Sequence, residues 1–287
     1  MSKLLRADFV RLFKSKIFWL AMIFMAGLAS FASWTKWQDS QDFPDHYNPP
    51  DGILLAGAGF IGIVMAVVIG VFIGTDYSNG TIRNKHVIGH SRTAMYFSNL
   101  IICVTAAEMI HIAYLTIIIG ASVLGITREF EMSAGNIAAL LLTSVFTVAA
   151  LTSVFVLVSM LISSRTAGSV TLIILSLALI IAANTIHYRL LEKEYTKPYS
   201  YTITNEYGEE VEIEQESVKN PKYLMGTKRK IYQFFDDILP NNQIMQMTED
   251  YEDDLPDHTA YFPVYSLVLI AVTTGAGVLL FRRKDLK

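Results

Sequence analysis

The sequence predicts an all-α membrane protein with six transmembrane helices. Hydrophobic residues make up 52% of its 287 residues and charged residues only 17%, whereas soluble domains carry about 25% charged residues. Six apolar runs reach the roughly twenty residues that a helix needs to cross the hydrocarbon core. Lys and Arg collect in every second loop between these runs. The runs are Ile17–Trp34, Ile53–Gly74, Phe97–Leu124, Ile137–Ile162, Ala167–Ile186 and Phe262–Phe281.

The distribution of charge predicts the orientation of these helices. Thirteen Lys and Arg but only three Asp lie in the N-terminal segment, in the loops after the second and fourth runs, and in the C-terminal tail. Ten basic and twenty-two acidic residues lie in the remaining loops. Because basic residues accumulate on the cytoplasmic side of a membrane, we expect both termini to be cytoplasmic and the protein to be a multi-pass protein of the cell membrane.

Residues 1–16, ahead of the first run, have the pattern of an amphipathic helix. Phe9 and Phe13 recur at helical spacing, and basic residues lie between the apolar ones. A helix of this kind lies in the membrane interface. The basic start would also fit a signal peptide, but the run that follows is as long as a full span and lacks a small-residue cleavage site. We therefore expect the segment to be retained.

A polar, basic loop from Gly74 to Arg92 separates the second and third runs. It has helical spacing from Thr81 to Ile88, with Thr81 as a candidate N-cap and Gly89 placed to end the helix. A helix this short is marginal in water unless something packs on it, and its basic side chains cannot enter the bilayer. The loop therefore predicts contact with a second protein.

The run from Asp76 to Lys85 resembles the corresponding loop of type-2 ATP-binding-cassette exporter permeases. In that family the loop carries the coupling helix, which sits in a groove of a separate ATPase subunit, and an interfacial helix before the first span contacts the same subunit. The resemblance is specific over residues 74–92, and the order of spans extends it loosely to the whole chain. It implies ATPase-coupling roles for Phe9, Phe13, Asp76, Asn79, Thr81, Ile82, Arg83, Lys85 and His86.

The resemblance also implies the partners and the domain organisation. The functional unit would hold two permease copies, as a homodimer or with a close paralogue, and two ATPase subunits that bind ATP and magnesium. This chain has no Gly-x-x-x-x-Gly-Lys-Ser/Thr loop, so we expect no cofactor here and no enzymatic activity. We divide it into an interfacial helix (1–16), spans 1–5 (17–186) with a coupling helix near 81–88, an extracellular module (187–261), span 6 (262–281) and a cytoplasmic tail (282–287).

The predicted extracellular module has the patterns of a small α+β unit. Residues 199–204 and 210–214 alternate at period two and predict a β-hairpin, and Ile231, Phe234, Phe235 and Ile238 predict an amphipathic helix on the outer leaflet. Six carboxylates lie between 249 and 257. They could bind calcium, but their spacing is not that of an EF-hand loop. A solvated acidic loop fits better, and we predict no metal site.

Glu108 and His111 are ionisable residues within the third run, where such groups are costly and usually functional. At this spacing they share one helix face. Either they hydrogen-bond each other or they face a translocation path. A metal site is disfavoured because no second Glu-x-x-His and no acidic pair lies in a span. Gly70 and Gly74 have the spacing of close helix packing, either within the chain or with a second copy.

The resemblance, together with the six predicted spans, implies the membrane subunit of an ATP-driven exporter. Small permeases of this kind resemble those that export antimicrobial or amphipathic cytolytic peptides in bacteria, which would place the chain in a bacterial plasma membrane with a peptide substrate and membrane lipid as partners. Drugs, lipids and ions stay open as substrates, and nucleic acid is not expected. Two alternatives are a membrane sensor or immunity protein without transport and an intramembrane metal-dependent protease.

Overall fold

The computed structural model describes residues 1–45, 48–195, 199–204, 210–215, 217–248 and 257–285, with the backbone alone for 199–204 and 210–215. These residues form mainly helices. In chain order the elements are α1 (Ser2–Phe13), α2 (Lys16–Asp42), α3 (Asp51–Leu54), α4 (Ala56–Ser78), α5 (Thr81–Val87), α6 (Arg92–Val123), α7 (Ala134–Leu161), α8 (Arg165–Leu191), β1 (Tyr199–Thr204), β2 (Glu210–Gln215), α9 (Gly226–Ile238), α10 (Pro240–Met247), a 3-10 turn (Asp257–Tyr261) and α11 (Phe262–Arg283).

Six of the described segments are long and apolar enough to cross a membrane. They contain α2, α4, α6, α7, α8 and α11, so the predicted number of spans is confirmed. The helices extend beyond the apolar runs. Each added helical residue donates its backbone N–H to the carbonyl four residues earlier, so polar residues can continue the helix. Thus α2 continues past Trp34 to Asp42, and α6 begins at Arg92, where the hydroxyl of Ser91 accepts a hydrogen bond from the Ala94 amide at 3.2 Å.

Helix α4 lies inside the bundle and packs on α6, α7 and α8. Its small residues permit the closest of these contacts. A Cβ atom added at Gly70 would lie 2.7 Å from the Cα of Ser169, and one added at Gly74 would lie 2.7 Å from the Cα of Arg165. Both neighbours belong to α8 of the same chain. The two glycines therefore serve packing within the chain, the first of the two roles predicted for them.

The segment between α8 and α11 folds as strands and short helices. Strands β1 and β2 pair antiparallel in a register that runs from Tyr199 opposite Gln215 to Thr204 opposite Glu210. Helix α9 carries the predicted amphipathic pattern and exposes Ile231, Phe234 and Phe235. The predicted hairpin turn at 205–208 and the acidic residues from 249 to 254 lie outside the described residues.

Helix α10 enters the bundle between the membrane spans and is buried from Pro240 to Ile244. It contacts α4, α7, α8 and α9. Gln243 is its main anchor, since its Oε1 accepts hydrogen bonds from Thr147 of α7 and Ser266 of α11, each at 2.9 Å, and its Nε2 donates to the carbonyl of Asp237 at 2.7 Å. Hydrogen-bonded amides can be buried at low cost, so this polar helix forms part of the core.

Candidate coupling site

A tight turn at Gly80 starts helix α5 at the basic end of the bundle. Gly80 has φ of 66°, a left-handed conformation that is costly for residues with a Cβ atom. Its amide donates to the carbonyl of Tyr77 at 3.0 Å, and its carbonyl accepts from the amide of Asn84 at 3.0 Å. Gly80 is therefore the N-cap. The prediction that Thr81 caps the helix was wrong, because the left-handed turn falls one residue earlier and makes Thr81 the first helical residue.

The end of α5 is also fixed by a left-handed glycine. Gly89 has φ of 102°. Its amide donates to the carbonyl of His86 at 3.0 Å, and the amide of His90 donates to the carbonyl of Lys85 at 3.1 Å. These two bonds form a Schellman motif, which satisfies the free carbonyls at a helix C-terminus. Gly89 ends the helix as predicted, and α5 is a rigid element of two turns held at both ends.

Four charged side chains meet beneath α5 and form a buried ionic cluster of Asp8, Arg11, Asp76 and Lys85. The carboxylates of Asp8 and Asp76 are each only 2% exposed as residues. The ammonium of Lys85 lies 2.8 Å from Asp8 Oδ1 and 3.1 Å from Asp76 Oδ2. The guanidinium of Arg11 pairs with Asp76 and lies 3.7 Å from Asp8. The ionic cluster thus joins α1, the end of α4 and α5.

Two further contacts hold the ionic cluster in place. The hydroxyl of Ser98 in α6 donates to Asp8 Oδ2 at 2.7 Å. The guanidinium carbon of Arg11 lies 3.8 Å from the ring centre of Phe72 in α4, within range of a cation–π interaction. The cluster therefore links the N-terminal helix and α5 to two membrane spans.

The charges in the ionic cluster balance, with two carboxylates against two cations. Burial lowers the pKa of Lys85 below its ordinary value, and its hydrogen bond to Asp8 opposes that shift. Burial likewise lowers the pKa of Arg11, opposed by the charge of Asp8. A balanced buried pair adds little net stability, but removal of one partner leaves an uncompensated buried charge. The ionic cluster accordingly fixes geometry more than it stabilises the chain.

The predicted coupling residues divide between the inside and the surface of the chain. Asp76 and Lys85 belong to the ionic cluster, and Ile82 is 3% exposed and packs in the core. Such side chains can act on a partner only through the position of α5. Phe9 packs partly against the core, and Phe13 stacks on it with ring centres 6.3 Å apart. Thr81 is half-buried, and the outward-facing predicted residues are Asn79, Arg83 and His86.

Sequence reasoning missed the residues that dominate the outer surface of α5. Val87 and Ile88 are 79% and 78% exposed. Exposure of aliphatic side chains to water is unfavourable, and their burial against a partner would be favourable. The sequence did indicate them, because two adjacent aliphatic residues stand between the basic part of the helix and Gly89, which ends it. Asp8 and Arg11 were also missed, because no local pattern shows that they reach Asp76 and Lys85.

The match to a protein family covers this site. A model of the family described as ABC-2 family transporter protein matches residues 4–183, which is more than half of the chain and includes α5 and most of α1 and α8. The chain belongs to this family. Comparison with curated proteins gave no match. As an ABC-2 permease, the chain is a membrane subunit of an ABC transporter, and its family implies an ABC ATPase as partner.

The C-terminal end of the ABC-2 permease reaches the same region. The ammonium of Lys284 donates to the hydroxyl of Tyr77 at 2.8 Å and to the carbonyl of Met160 at 3.0 Å, and the Tyr77 hydroxyl donates to the Met160 carbonyl. Burial lowers the pKa of Lys284 to about 8. The ends of α4, α7 and α11 are therefore tied together directly beside the turn that starts α5.

Glu108 and His111 of the permease lie within α6 but do not bond to each other. His111 is fully buried and its Nε2 lies 3.0 Å from the hydroxyl of Ser144 in α7. Neither carboxylate oxygen of Glu108 nor Nδ1 of His111 has a hydrogen-bond partner among the described residues. The alternative in which the two residues hydrogen-bond each other was wrong, because His111 is turned toward α7. The carboxyl group of Glu108 is therefore buried without a hydrogen-bond partner among the described residues.

The side chains that could bind a metal ion do not converge in the described residues. Within the described ranges no group of three or more His, Cys, Asp or Glu lies close enough to hold a metal ion. The buried carboxylates of Asp8 and Asp76 are already paired with Lys85 and Arg11.

Proposed function

We propose that this ABC-2 permease exports amphipathic peptides and that α5 transmits ATP-driven movement from the partner ATPase to the spans. The observation that carries the proposal is the combination of an exposed apolar tip, Val87 and Ile88, with a buried ionic cluster at the root of the same helix. The tip supplies a contact surface, and the ionic cluster supplies a rigid connection to α1, α4 and α6.

The outward face of α5 suits a groove in a protein. Its two exposed aliphatic side chains are flanked by Arg83, His86 and Asn84, all of which are exposed. Full burial of an aliphatic side chain contributes about 1.5–3 kcal/mol, and the flanking polar groups can form a rim. Two such side chains in a groove would supply a large part of the affinity of a small contact.

The ionic cluster offers a route for movement into the membrane. A displacement of α5 shifts Lys85, and the two carboxylates that accept from it lie on α1 and α4. Packed elements tend to move as rigid bodies between discrete arrangements rather than to deform. ATP-dependent closure of two ATPases would then shift α4 and α6 between inward-open and outward-open states, with the populations set by the difference in ATP affinity.

A second permease copy would complete the pathway. Helices α2, α8 and α11 expose apolar side chains along much of their length, including Phe24 and Phe31 of α2 and Ile174 and Ile181 of α8. Lipid can cover such surfaces, and so can another copy. A six-span bundle is half of the transporter that the resemblance implies, so we propose a homodimer in a bacterial plasma membrane with both termini cytoplasmic.

The peptide substrate is proposed from the segment before the last span. Helix α9 exposes Ile231, Phe234 and Phe235 beside the basic residues 228–230, so among the described residues an amphipathic face is exposed at the end of the bundle opposite α5. A peptide with apolar and charged faces would match it. Cells that lack the chain should become more sensitive to such a peptide, and unchanged sensitivity would contradict the choice of substrate.

The coupling proposal is tested by copurification from native membranes. The permease is isolated in mild detergent, its partners are identified, and ATPase activity is measured for wild type and for Val87→Asp with Ile88→Asp. Because the change removes two apolar contacts and adds charge, ATPase recovery should fall at least tenfold. Asn84, Arg83 and the ionic cluster stay intact in this variant.

The matched control changes an equally exposed aliphatic pair at the other end of the bundle. Val123 and Leu124 are 79% and 76% exposed, so Val123→Asp with Leu124→Asp adds the same charges far from α5. This control should retain the ATPase. Equal recovery in both variants would contradict a contact at the tip of α5. Isolation of wild type without any ATPase would favour the sensor alternative.

A further inference from the structure

An apolar groove runs between α6 and α11 on the surface of the bundle. Phe97 and Leu100 of α6 form one wall, and residues of α11 from Leu267 to Leu279 form the other. Its volume is about 690 Å³, within the range of ligand sites. Thr274 contributes a hydroxyl to the wall, but the lining is otherwise made of apolar side chains and Gly275. The groove is therefore suited to a hydrocarbon chain.

Basic residues follow the groove-lining residues of α11 and precede those of α6. Arg282 and Arg283 follow Leu279 by one helical turn and are exposed. Arg92, at the start of α6, donates from Nη1 to the carbonyl of Arg282 at 2.8 Å and to that of Phe281 at 3.4 Å. This contact ties the start of α6 to the last turn of α11, where Arg282 and Arg283 lie.

These guanidinium groups are not neutralised within the described part of the chain. No carboxylate there forms an ion pair with Arg92, Arg282 or Arg283. Asp285 lies nearby in sequence, but it lines a separate small cleft with Arg83 and Asp76. Basic residues next to an apolar groove favour a ligand that combines an anionic group with a hydrocarbon tail.

The dimensions agree with one leaflet of a bilayer. The α11 wall from Leu267 to Leu279 extends about 18 Å at the helical rise of about 1.5 Å per residue. One leaflet contributes about 15 Å of hydrocarbon. A lipid whose phosphate lies at Arg282 and Arg283 would place an acyl chain along this wall.

We propose that the groove between α6 and α11 binds an anionic phospholipid, with an acyl chain along α11 and its phosphate at Arg92, Arg282 and Arg283. The observation specific to this ligand is that a leaflet-length apolar groove ends within one helical turn of the exposed Arg282 and Arg283, which form no ion pair among the described residues. A helix of a second copy would fill the groove without using the arginines, and a zwitterionic lipid would use them less well. The site is independent of the coupling proposal.

The test measures lipid binding to delipidated permease by native mass spectrometry. The probes are phosphatidylglycerol and phosphatidylcholine with the same acyl chains, and inorganic phosphate as a control for the anion alone. Wild type should retain phosphatidylglycerol at least tenfold better than phosphatidylcholine. Inorganic phosphate at millimolar concentration should not displace the lipid, because it lacks the acyl chain.

Two variants separate the groove from the arginines. A Cβ atom at Gly275 meets nothing within 4 Å, so Gly275→Leu fills the groove without a clash and should lower phosphatidylglycerol retention at least fivefold. Arg282→Gln with Arg283→Gln should lower it about fivefold per arginine, and Arg282→Lys with Arg283→Lys should restore most of it. Gly27→Leu on α2, where a Cβ atom also meets nothing within 4 Å, is the matched control and should bind as wild type.

Several outcomes would overturn the proposal. Equal retention of the two lipids, displacement by phosphate alone, or unchanged retention in Gly275→Leu would each exclude the anionic-lipid site. Conversion of a dimer to a monomer by Gly275→Leu, with lipid retention unchanged, would assign the groove to a second copy. Thermal unfolding of each variant is measured alongside, and lipid loss counts only for variants whose Tm equals that of wild type.

Discussion

Lys85 of α5 donates hydrogen bonds to two carboxylates on different helices, Asp8 at 2.8 Å and Asp76 at 3.1 Å. One side chain thus fixes the short helix to both the N-terminal helix and a membrane span. A contact of this kind transmits displacement in both directions. The two carboxylates are buried, so water cannot replace the ammonium as their partner when it moves. The contact gives α5 the stiffness that seven residues lack by themselves.

Removal of one carboxylate from the ionic cluster should destabilise the permease. Asp76→Asn leaves Arg11 and Lys85 with one buried negative charge between them, a change that typically costs about 3–5 kcal/mol. We expect a clear fall in Tm in detergent. Asp285→Asn, at an exposed carboxylate, is the control and should change stability by less than about 0.5 kcal/mol.

The pairing itself is measured by a double-mutant cycle. Asp76→Asn combined with Lys85→Met restores charge balance, so the double variant should be less destabilised than the sum of the two single variants. Additive losses would show that Asp76 and Lys85 do not interact in the folded protein.

Glu108 should affect transport more than stability. Its carboxyl group is buried without a hydrogen-bond partner in the described structure, and such a group is costly in a membrane span. Glu108→Leu should therefore raise the Tm. Glu108→Gln, which keeps the size but not the charge, should alter transport while the ATPase still copurifies. Unchanged transport in Glu108→Gln would return this residue to a structural role.

The contribution of Lys284 to stability should depend on pH. Burial lowers its pKa to about 8 from an ordinary value of 10.5, so between these two values the unfolded chain binds more protons than the folded chain. Stability contributed by this residue therefore rises with pH across that window and is constant below it. Wild type should have a lower Tm than Lys284→Met at pH 7, where the buried ammonium is charged. This difference should be smaller at pH 9.5. A constant difference would contradict the burial of this ammonium.

Close packing of α4 on α8 should make Gly70 intolerant of side chains. A Cβ atom there would lie 2.7 Å from the backbone of Ser169, which cannot move without the whole of α8. Gly70→Leu should destabilise the permease by at least about 1–3 kcal/mol. Gly59→Leu on the same helix, where a Cβ atom meets nothing within 4 Å, should be tolerated. Similar Tm values for the two variants would exclude the contact.

The number of spans and the position of α5 followed from local patterns in the sequence. Length and hydropathy predicted all six membrane helices, and the Thr81–Ile88 prediction agrees with the observed Thr81–Val87 within one residue. Glycines set both ends of this helix through left-handed backbone angles, and sequence reasoning recognised Gly89 but assigned the N-cap to Thr81. Such boundaries are local, so a pattern can show them.

The ionic cluster and α10 could not be predicted in the same way. Lys85 lies 77 residues after Asp8 in the chain, and nothing near Asp8 indicates that a cation will be buried on it. Pro240-Asn-Asn-Gln243 has the composition of a loop, yet it is helical and buried because Thr147, Ser266 and a backbone carbonyl satisfy Gln243. Burial that depends on distant partners leaves no periodic signal.

The position of α10 sets an order for biosynthesis. Gln243 accepts from Thr147 of α7, which is made earlier, and from Ser266 of α11, which is made later. Until α11 has been inserted, Gln243 Oε1 lacks the hydrogen bond that Ser266 donates. A chain that ends before Ser266 therefore lacks one of the hydrogen bonds that hold α10 in the bundle.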